Sequence, residues 1–127
     1  MAQKTGEEMA QRIAEKHAFD LFSMSNLRHT KTGVEGTVIW VSSGEFSGTD
    51  IQYGPRIKVV LGTKISKDLL KDSVSVRLTD PPEVLGKLPK SIERQVIQFV
   101  NRNRIILLQY RNNEIDTEEM LEGIERV

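Results

Sequence analysis

Three basic side chains form the pattern in this sequence that is best suited to binding. Arg56 and Lys58 alternate with apolar residues in the run RIKVVL, and Arg77 follows in the run SVSVRL. Such alternation indicates strands with one buried and one solvated face. If the two strands pair, the three cations share one side of the sheet and face a phosphate backbone or an acidic protein. We therefore predict an anion- or partner-binding site at Arg56, Lys58 and Arg77.

The stretch SSGEFSGTDIQYGP before Arg56 contains three glycines, and glycine-rich loops can cradle phosphate. A P-loop needs four residues between its first glycine and Gly-Lys-Ser/Thr. Here three residues separate Gly44 from Gly48, and no lysine follows. A dinucleotide-binding fingerprint leads straight into a helix, whereas this stretch leads into a strand. We interpret it as a connector between strands, and an anion-binding nest of backbone amides at Gly44–Gly48 remains an alternative.

Candidate catalytic and metal-ligating groups do not converge in the sequence. The chain contains no cysteine and two histidines, and a metal site usually needs three or four ligands. Glu45 and Asp50 are close enough along the chain to form a carboxylate pair, so a small enzyme with a site on the 43–53 loop stays an alternative. We predict no catalytic, cofactor-binding or metal-binding residues, and a non-enzymatic function is favoured.

The composition indicates one cytoplasmic domain over residues 1–127. A chain of 127 residues with 38% hydrophobic and 28% charged residues is typical of a globular protein with one core. Its first residues lack the apolar segment of a secretory signal. No apolar run reaches the roughly 18 residues of a membrane span. We therefore expect no membrane segment.

Charge is distributed unevenly along the chain, although the net charge is zero. Residues 51–112 hold 12 basic and 5 acidic side chains, whereas residues 113–127 hold 1 basic and 6 acidic ones. Two interpretations stay open. The basic section has an anionic partner, or the acidic end folds back and neutralises part of it.

The pattern of apolar residues predicts a helix followed by three strands. Thr5 and Glu8 fit a capping box, and apolar residues at helical spacing follow as far as Phe22. A polar connector then ends at Gly33. The runs GTVIWVSS, RIKVVL and SVSVRL predict a three-stranded antiparallel sheet. The link between the last two runs is too long for a tight hairpin, and the proline-rich residues 79–89 are predicted to be extended.

Two helices are predicted after the sheet. From about Ser91 to Arg111, the helical wheel gives a core-facing stripe with Asn103 near its centre, where that amide needs hydrogen-bond partners. Asp116 and Glu119 fit the cap of a short terminal helix. The long helix has a second apolar stripe, which is either covered by the short helix or used as a dimer contact. The interface candidates on this stripe are Arg94, Ile97, Ile105 and Leu108. Arg102 and Arg104 are further cations on the long helix, pointing in different directions. The expected fold is α+β, with helices packed on one face of the sheet.

From about Gly54 to Gly123 the chain resembles a group of small, largely uncharacterised bacterial and phage proteins. The resemblance lies in the RIKV strand, in SVSVRLTDPPEVLG, and in the helix IERQVIQFVNRNRIILLQY closing on NEIDTEEML. Some related proteins carry His-x-His where this chain has Arg56-Ile57-Lys58, and they are suspected components of toxin–antitoxin pairs. The resemblance implies a bacterial or mobile-element accessory protein. Because Arg56 and Lys58 stand at the positions of those two histidines, the resemblance does not imply metal or nuclease chemistry for this chain.

Together these observations favour a non-enzymatic binding protein of bacterial type. Its expected partner is another protein or a second copy of itself, with dimerisation through the long helix. The first alternative is nucleic-acid binding by the basic sheet face, and the second is the small enzyme on the 43–53 loop.

Overall fold

The computed structural model describes residues 24–42 and 54–127, and an antiparallel sheet of five strands organises them. Each strand pairs with the next one along the chain, so the order in space is the order in sequence. The strands are β1 Met24–Arg28, β2 Thr37–Ser42, β3 Arg56–Leu61, β4 Val74–Arg77 and β5 Glu83–Leu85. The helices are α1 His29–Thr32, α2 Lys90–Arg111 and α3 Thr117–Gly123, and a 3-10 helix spans Lys67–Asp72.

The main core lies between one face of the sheet and α2. Alternation along β3 sends Ile57 and Val59 into this core, and Val76 of β4 joins them from the neighbouring strand. Phe99 and Val100 are the fully buried centre of the helical side. Burial of these side chains is the dominant favourable term for packing the helix on the sheet.

A smaller apolar cluster lies on the opposite face of the sheet. Val38, Trp40 and Val60 point away from α2 and are buried. Leu70 covers them from the 3-10 helix, which begins where the Ser66 hydroxyl accepts a hydrogen bond from the Asp68 amide at 3.3 Å. The long link between β3 and β4 therefore folds back over part of the second face.

The prediction of a three-stranded sheet was wrong, because β1 and β5 extend it on both sides. β1 lies in the segment predicted as a polar connector. Among its residues only Leu27 is fully buried, and Ser25 on the same face bonds instead to the hydroxyl of Tyr110 at 2.9 Å. A strand with one buried apolar residue gives no periodic signal. β5 has three residues between Pro82 and Gly86, too few for alternation to be recognised.

The predicted N-terminal helix, from Thr5 to Phe22, lies outside the described residues. Among those residues, the two helices that pack on or beside the core, α2 and α3, both follow the sheet. For the described residues, the expected three strands followed by two helices are therefore corrected to an α+β arrangement of five strands, with the short α1 between β1 and β2, followed by α2 and α3.

The predicted long helix is confirmed to within one residue, and so is its core-facing stripe. Asn103 is buried at the centre of this stripe, as the wheel placed it, and its hydrogen-bonding capacity is well used. Its amide nitrogen donates to the carbonyls of Phe99 and Glu125 at 2.9 and 2.8 Å. Its oxygen accepts from the Glu125 amide at 2.6 Å. The side chain thus pairs with the main chain of residue 125 as a neighbouring strand would.

The predicted short helix is also confirmed, with Asp116 and Glu119 forming both hydrogen bonds of a capping box. After α3, residues 124–127 run across α2 towards the turn between α1 and β2. The Val127 amide donates to the Thr32 carbonyl at 2.9 Å, directly beside Gly33. The φ angle of Gly33 is +82°, and a Cβ atom there would overlap the carbonyl oxygen of Val127.

This close approach predicts that Gly33→Ala destabilises the protein more than Gly36→Ala does. Both glycines have similar positive φ angles, +82° and +74°, so both substitutions carry the strain of about 1–2 kcal/mol expected for an L-residue there. Only Gly33→Ala adds overpacking, which typically costs about 1–3 kcal/mol more. Urea denaturation measures both losses. Equal losses would show that residues 126–127 do not pack on Gly33 in solution.

Candidate functional site

The pairing of β3 with β4 brings the three predicted cations together on one face. Arg56 is directly opposite Arg77, and Lys58 is opposite Ser75. The neighbouring residues Ile57 and Val76 face the core, so the cations point to the other side, away from α2. We call Arg56, Lys58, Ser75 and Arg77 the basic sheet face.

Like charges in directly opposed positions destabilise an antiparallel pair. Part of this repulsion is relieved by Glu83, which β5 places opposite Arg77 on the third strand of the same row. Nη1 of Arg77 donates to Oε2 of Glu83 at 3.0 Å, and their side chains are 33% and 54% exposed. An ion pair this exposed contributes about 0–1 kcal/mol, so its main effect is to orient the guanidinium. Arg56 and Lys58 are half-buried, and each interacts with another residue.

Two nitrogen donors on this side of the sheet are buried and have no acceptor among the described residues. They are Nε of Arg77 and Nε1 of Trp40. Trp40 is opposite Lys58, so both donors border the basic sheet face. A buried polar group without a partner costs about 1–3 kcal/mol, and such groups are rare in native structures. Of the two, Arg77 belongs to a partly exposed side chain and Trp40 is buried beneath the 3-10 helix, so Arg77 is the donor suited to a ligand that supplies acceptors.

Further cations lie beside the basic sheet face on the link that covers the second face. The 3-10 helix packs Leu70 against Val60 and Trp40. Its residues Lys67 and Lys71 are exposed, as is Lys64 just before it. Asp68 and Asp72 on the same link offset part of this charge. The sequence did not point to these lysines, because nothing in it placed the link on this face.

The arginines of α2 do not extend the basic sheet face, because they lie in the helical layer on the other side of the sheet. Arg104 donates twice to the Thr79 carbonyl, at 3.1 and 2.8 Å, and holds the turn between β4 and β5. Arg102 donates to the carbonyl of Arg126 at 2.7 Å. Both side chains therefore fasten neighbouring segments to the helix.

The four interface candidates on α2 have different surroundings. Ile105 is 76% exposed, and Arg94 is exposed as well. Ile97 is half-buried, and Leu108 packs at the border of the main core. The helix α3 covers another side of α2, where Gly123 contacts Ile106. Within the described part of the chain, α3 therefore leaves Ile105 uncovered.

The loop considered for catalysis, residues 43–53 with Glu45 and Asp50, lies outside the described residues. In residues 24–42 and 54–127, no three histidine, aspartate or glutamate side chains gather as ligands for a metal ion. None of the helices described there is long and apolar enough to cross a bilayer.

Comparison with protein-family models, with curated proteins and with solved structures gave no match. The resemblance of residues 54–123 to small bacterial and phage proteins therefore stays a prediction.

Sequence reasoning missed two groups that shape the site, Glu83 and the indole of Trp40. A signal for Glu83 exists in the sequence, because TDPP between SVSVRL and EVL is a turn that returns the chain beside β4. Trp40 is a core residue at 3% exposure. Its unpartnered nitrogen depends on what packs around it, and residue type alone does not reveal this.

Proposed function

We propose that the protein is a non-enzymatic binding module that acts by association, with the basic sheet face as its contact surface. The partner carries negative charge. One observation supports this proposal most strongly: Arg56, Lys58 and Arg77 share a face, and the Nε donor of Arg77 has no acceptor among the described residues. We further propose a cytoplasmic, bacterial or mobile-element role, in keeping with the resemblance of residues 54–123.

The physical basis of the proposal is local charge density. Interactions between exposed charges decay over a Debye length of about 8 Å at physiological ionic strength. Cations on adjacent strands are closer than this, since neighbouring strands lie about 4.8 Å apart. The electrostatic potentials of these cations therefore add up, and they attract a partner with several negative charges towards the face.

The proposal predicts that the double variant Arg56→Ala/Lys58→Ala loses affinity for a polyanion. Heparin serves as the probe, and its affinity is measured at low and at physiological ionic strength. We expect a loss of roughly tenfold or more, because each charge-assisted contact contributes about 1 kcal/mol or more. Binding by the unaltered protein should weaken as salt rises.

The matched control for this experiment is Lys87→Ala/Lys90→Ala. This pair removes the same charge from two exposed positions, Lys87 just before α2 and Lys90 at its first residue. It should change heparin affinity much less. Equal losses from the two pairs, or no heparin binding by the unaltered protein, would contradict the proposed surface.

A second candidate function is self-association through α2, supported by the exposure of Ile105. An isoleucine that is 76% exposed among Ile97 and Leu108 presents apolar surface at one place on the helix. A stable interface buries about 1,200–2,000 Å², so Ile105 would be the anchor of a larger contact. Arg94 lies on the same side of the helix and would border it.

Self-association predicts that Ile105→Asp shifts the protein towards the monomer. Multi-angle light scattering over a concentration series measures the mass. Ser91→Asp is the control, because it adds the same charge to the same helix about 21 Å away, at 1.5 Å per residue. A monomeric mass for the unaltered protein at high micromolar concentration would contradict self-association through α2.

A further inference from the structure

We infer that the charged groups bound by the basic sheet face are backbone phosphates of a nucleic acid, and that Arg77 is the residue that seats one phosphate. This inference rests on the proposed function, and it specifies the partner of the same surface. The juxtaposition that carries it is the ion pair on one side of the Arg77 guanidinium and an unpartnered Nε on the other.

The guanidinium of Arg77 is held in one orientation and used on one side only. Nη1 donates to Glu83 at 3.0 Å. Nε is buried and has no acceptor within residues 24–42 and 54–127. Nη2 lies beside Gly54, 3.9 Å from the position of a Cβ atom there. The Nε–Nη2 edge of an arginine is a planar fork that matches two oxygens of a phosphate.

One third of the Arg77 side chain is exposed, so a phosphate can approach its guanidinium from solvent, and contact with the buried Nε requires a small outward turn of that side chain. The Arg77 side chain is 33% exposed, and at Gly54 no Cβ narrows the space beside Nη2. A bound phosphate oxygen supplies the acceptor for Nε that no described residue provides. It thereby offsets the free-energy cost of a buried donor without a partner. Across the strand pair, Arg56 adds charge to the same phosphate or to the next one along a backbone.

The character of the face favours contact with backbone phosphates over reading of bases. Binding of single strands by base stacking needs aromatic side chains at the surface. Trp40 is 97% buried beneath the 3-10 helix and cannot stack with a base. Contacts restricted to phosphates carry no sequence information. We therefore expect binding that is independent of nucleotide sequence.

Substitutions of Glu83 distinguish a specific phosphate site at Arg77, which we call the seat, from nonspecific attraction to the positive charge of the face. Removing this carboxylate raises the positive charge of the face by one. Nonspecific attraction therefore predicts that any neutral replacement of Glu83 tightens the binding of an anion. In a seat, Glu83 is a positioning residue, because it holds Nη1 and thereby aims the free edge. Glu83→Ala then weakens binding in spite of the added charge. Glu83→Gln removes the same charge but keeps an oxygen that can accept from Nη1, so it preserves or tightens binding.

The experiment measures the affinity of the full chain by fluorescence anisotropy for a labelled 20-base-pair DNA duplex of arbitrary sequence. A second duplex of different sequence and a polyglutamate peptide are the other probes. We expect equal affinity for the two duplexes, a loss of about tenfold for Arg77→Lys, and a loss of about threefold for Glu83→Ala. Glu83→Gln should bind at least as tightly as the unaltered protein. Circular dichroism confirms folding of each variant, and Glu83 is exposed enough for its replacement to be tolerated.

Each other outcome overturns a defined part of the inference. If Glu83→Ala and Glu83→Gln both tighten duplex binding, the attraction is diffuse and the seat at Arg77 is wrong. If polyglutamate binds and the duplexes do not, the phosphate is wrong, while the proposed function of the face stands with an acidic protein as partner. If neither polymer binds, both the inference and the proposed function fail.

Discussion

The antiparallel pairing of β3 with β4 is the constraint on which the rest of the structure depends. Side chains alternate between the two faces of a strand, so one register determines which residues face the core and which face the opposite side. The observed register directs Ile57 and Val76 into the core under α2 and sends Arg56 and Arg77 to the opposite side. A shift by one residue would bury the arginines and expose the core residues. The stability of the core therefore also fixes the positions of the cations.

The two sides of the sheet consequently have different roles. On the side of α2, polar groups fasten segments together: Asn103 pairs with the main chain of Glu125, and Arg104 holds the carbonyl of Thr79. On the other side, a small cluster around Trp40 is covered by the 3-10 helix, and the cations lie beside it. There the donors of Trp40 and Arg77 have no acceptor among the described residues. Among the described residues, both buried side-chain donors that have no acceptor therefore lie on the second side.

The sequence predicted those elements whose own periodicity is strong. The helix α2, its buried Asn103 and the capping box at Asp116 follow from spacing alone, and so does the shared side of Arg56 and Arg77 once their strands pair. The strand β1 escaped prediction, because Ser25 on its inner face is stabilised by Tyr110, a residue 85 positions away. The pairing of Arg77 with Glu83 depends on a three-residue strand that is too short for its alternation to be recognised, although the TDPP turn before it indicates a return of the chain beside β4. Contacts between residues that are far apart in the sequence therefore limited the prediction, both at the edges of the sheet and in the details of the site.

We propose that the basic sheet face, and no other surface of the described residues, binds an anionic partner. Mapping of amide chemical-shift changes by NMR during a titration with polyphosphate tests it residue by residue. We expect the largest changes in β3, in β4 and in the 3-10 helix, all reversed by added salt. We expect small changes along α2 and α3, which lie on the far side of the sheet. Changes centred on α2, or spread evenly over all exposed lysines and arginines, would show that the basic sheet face is not the binding surface.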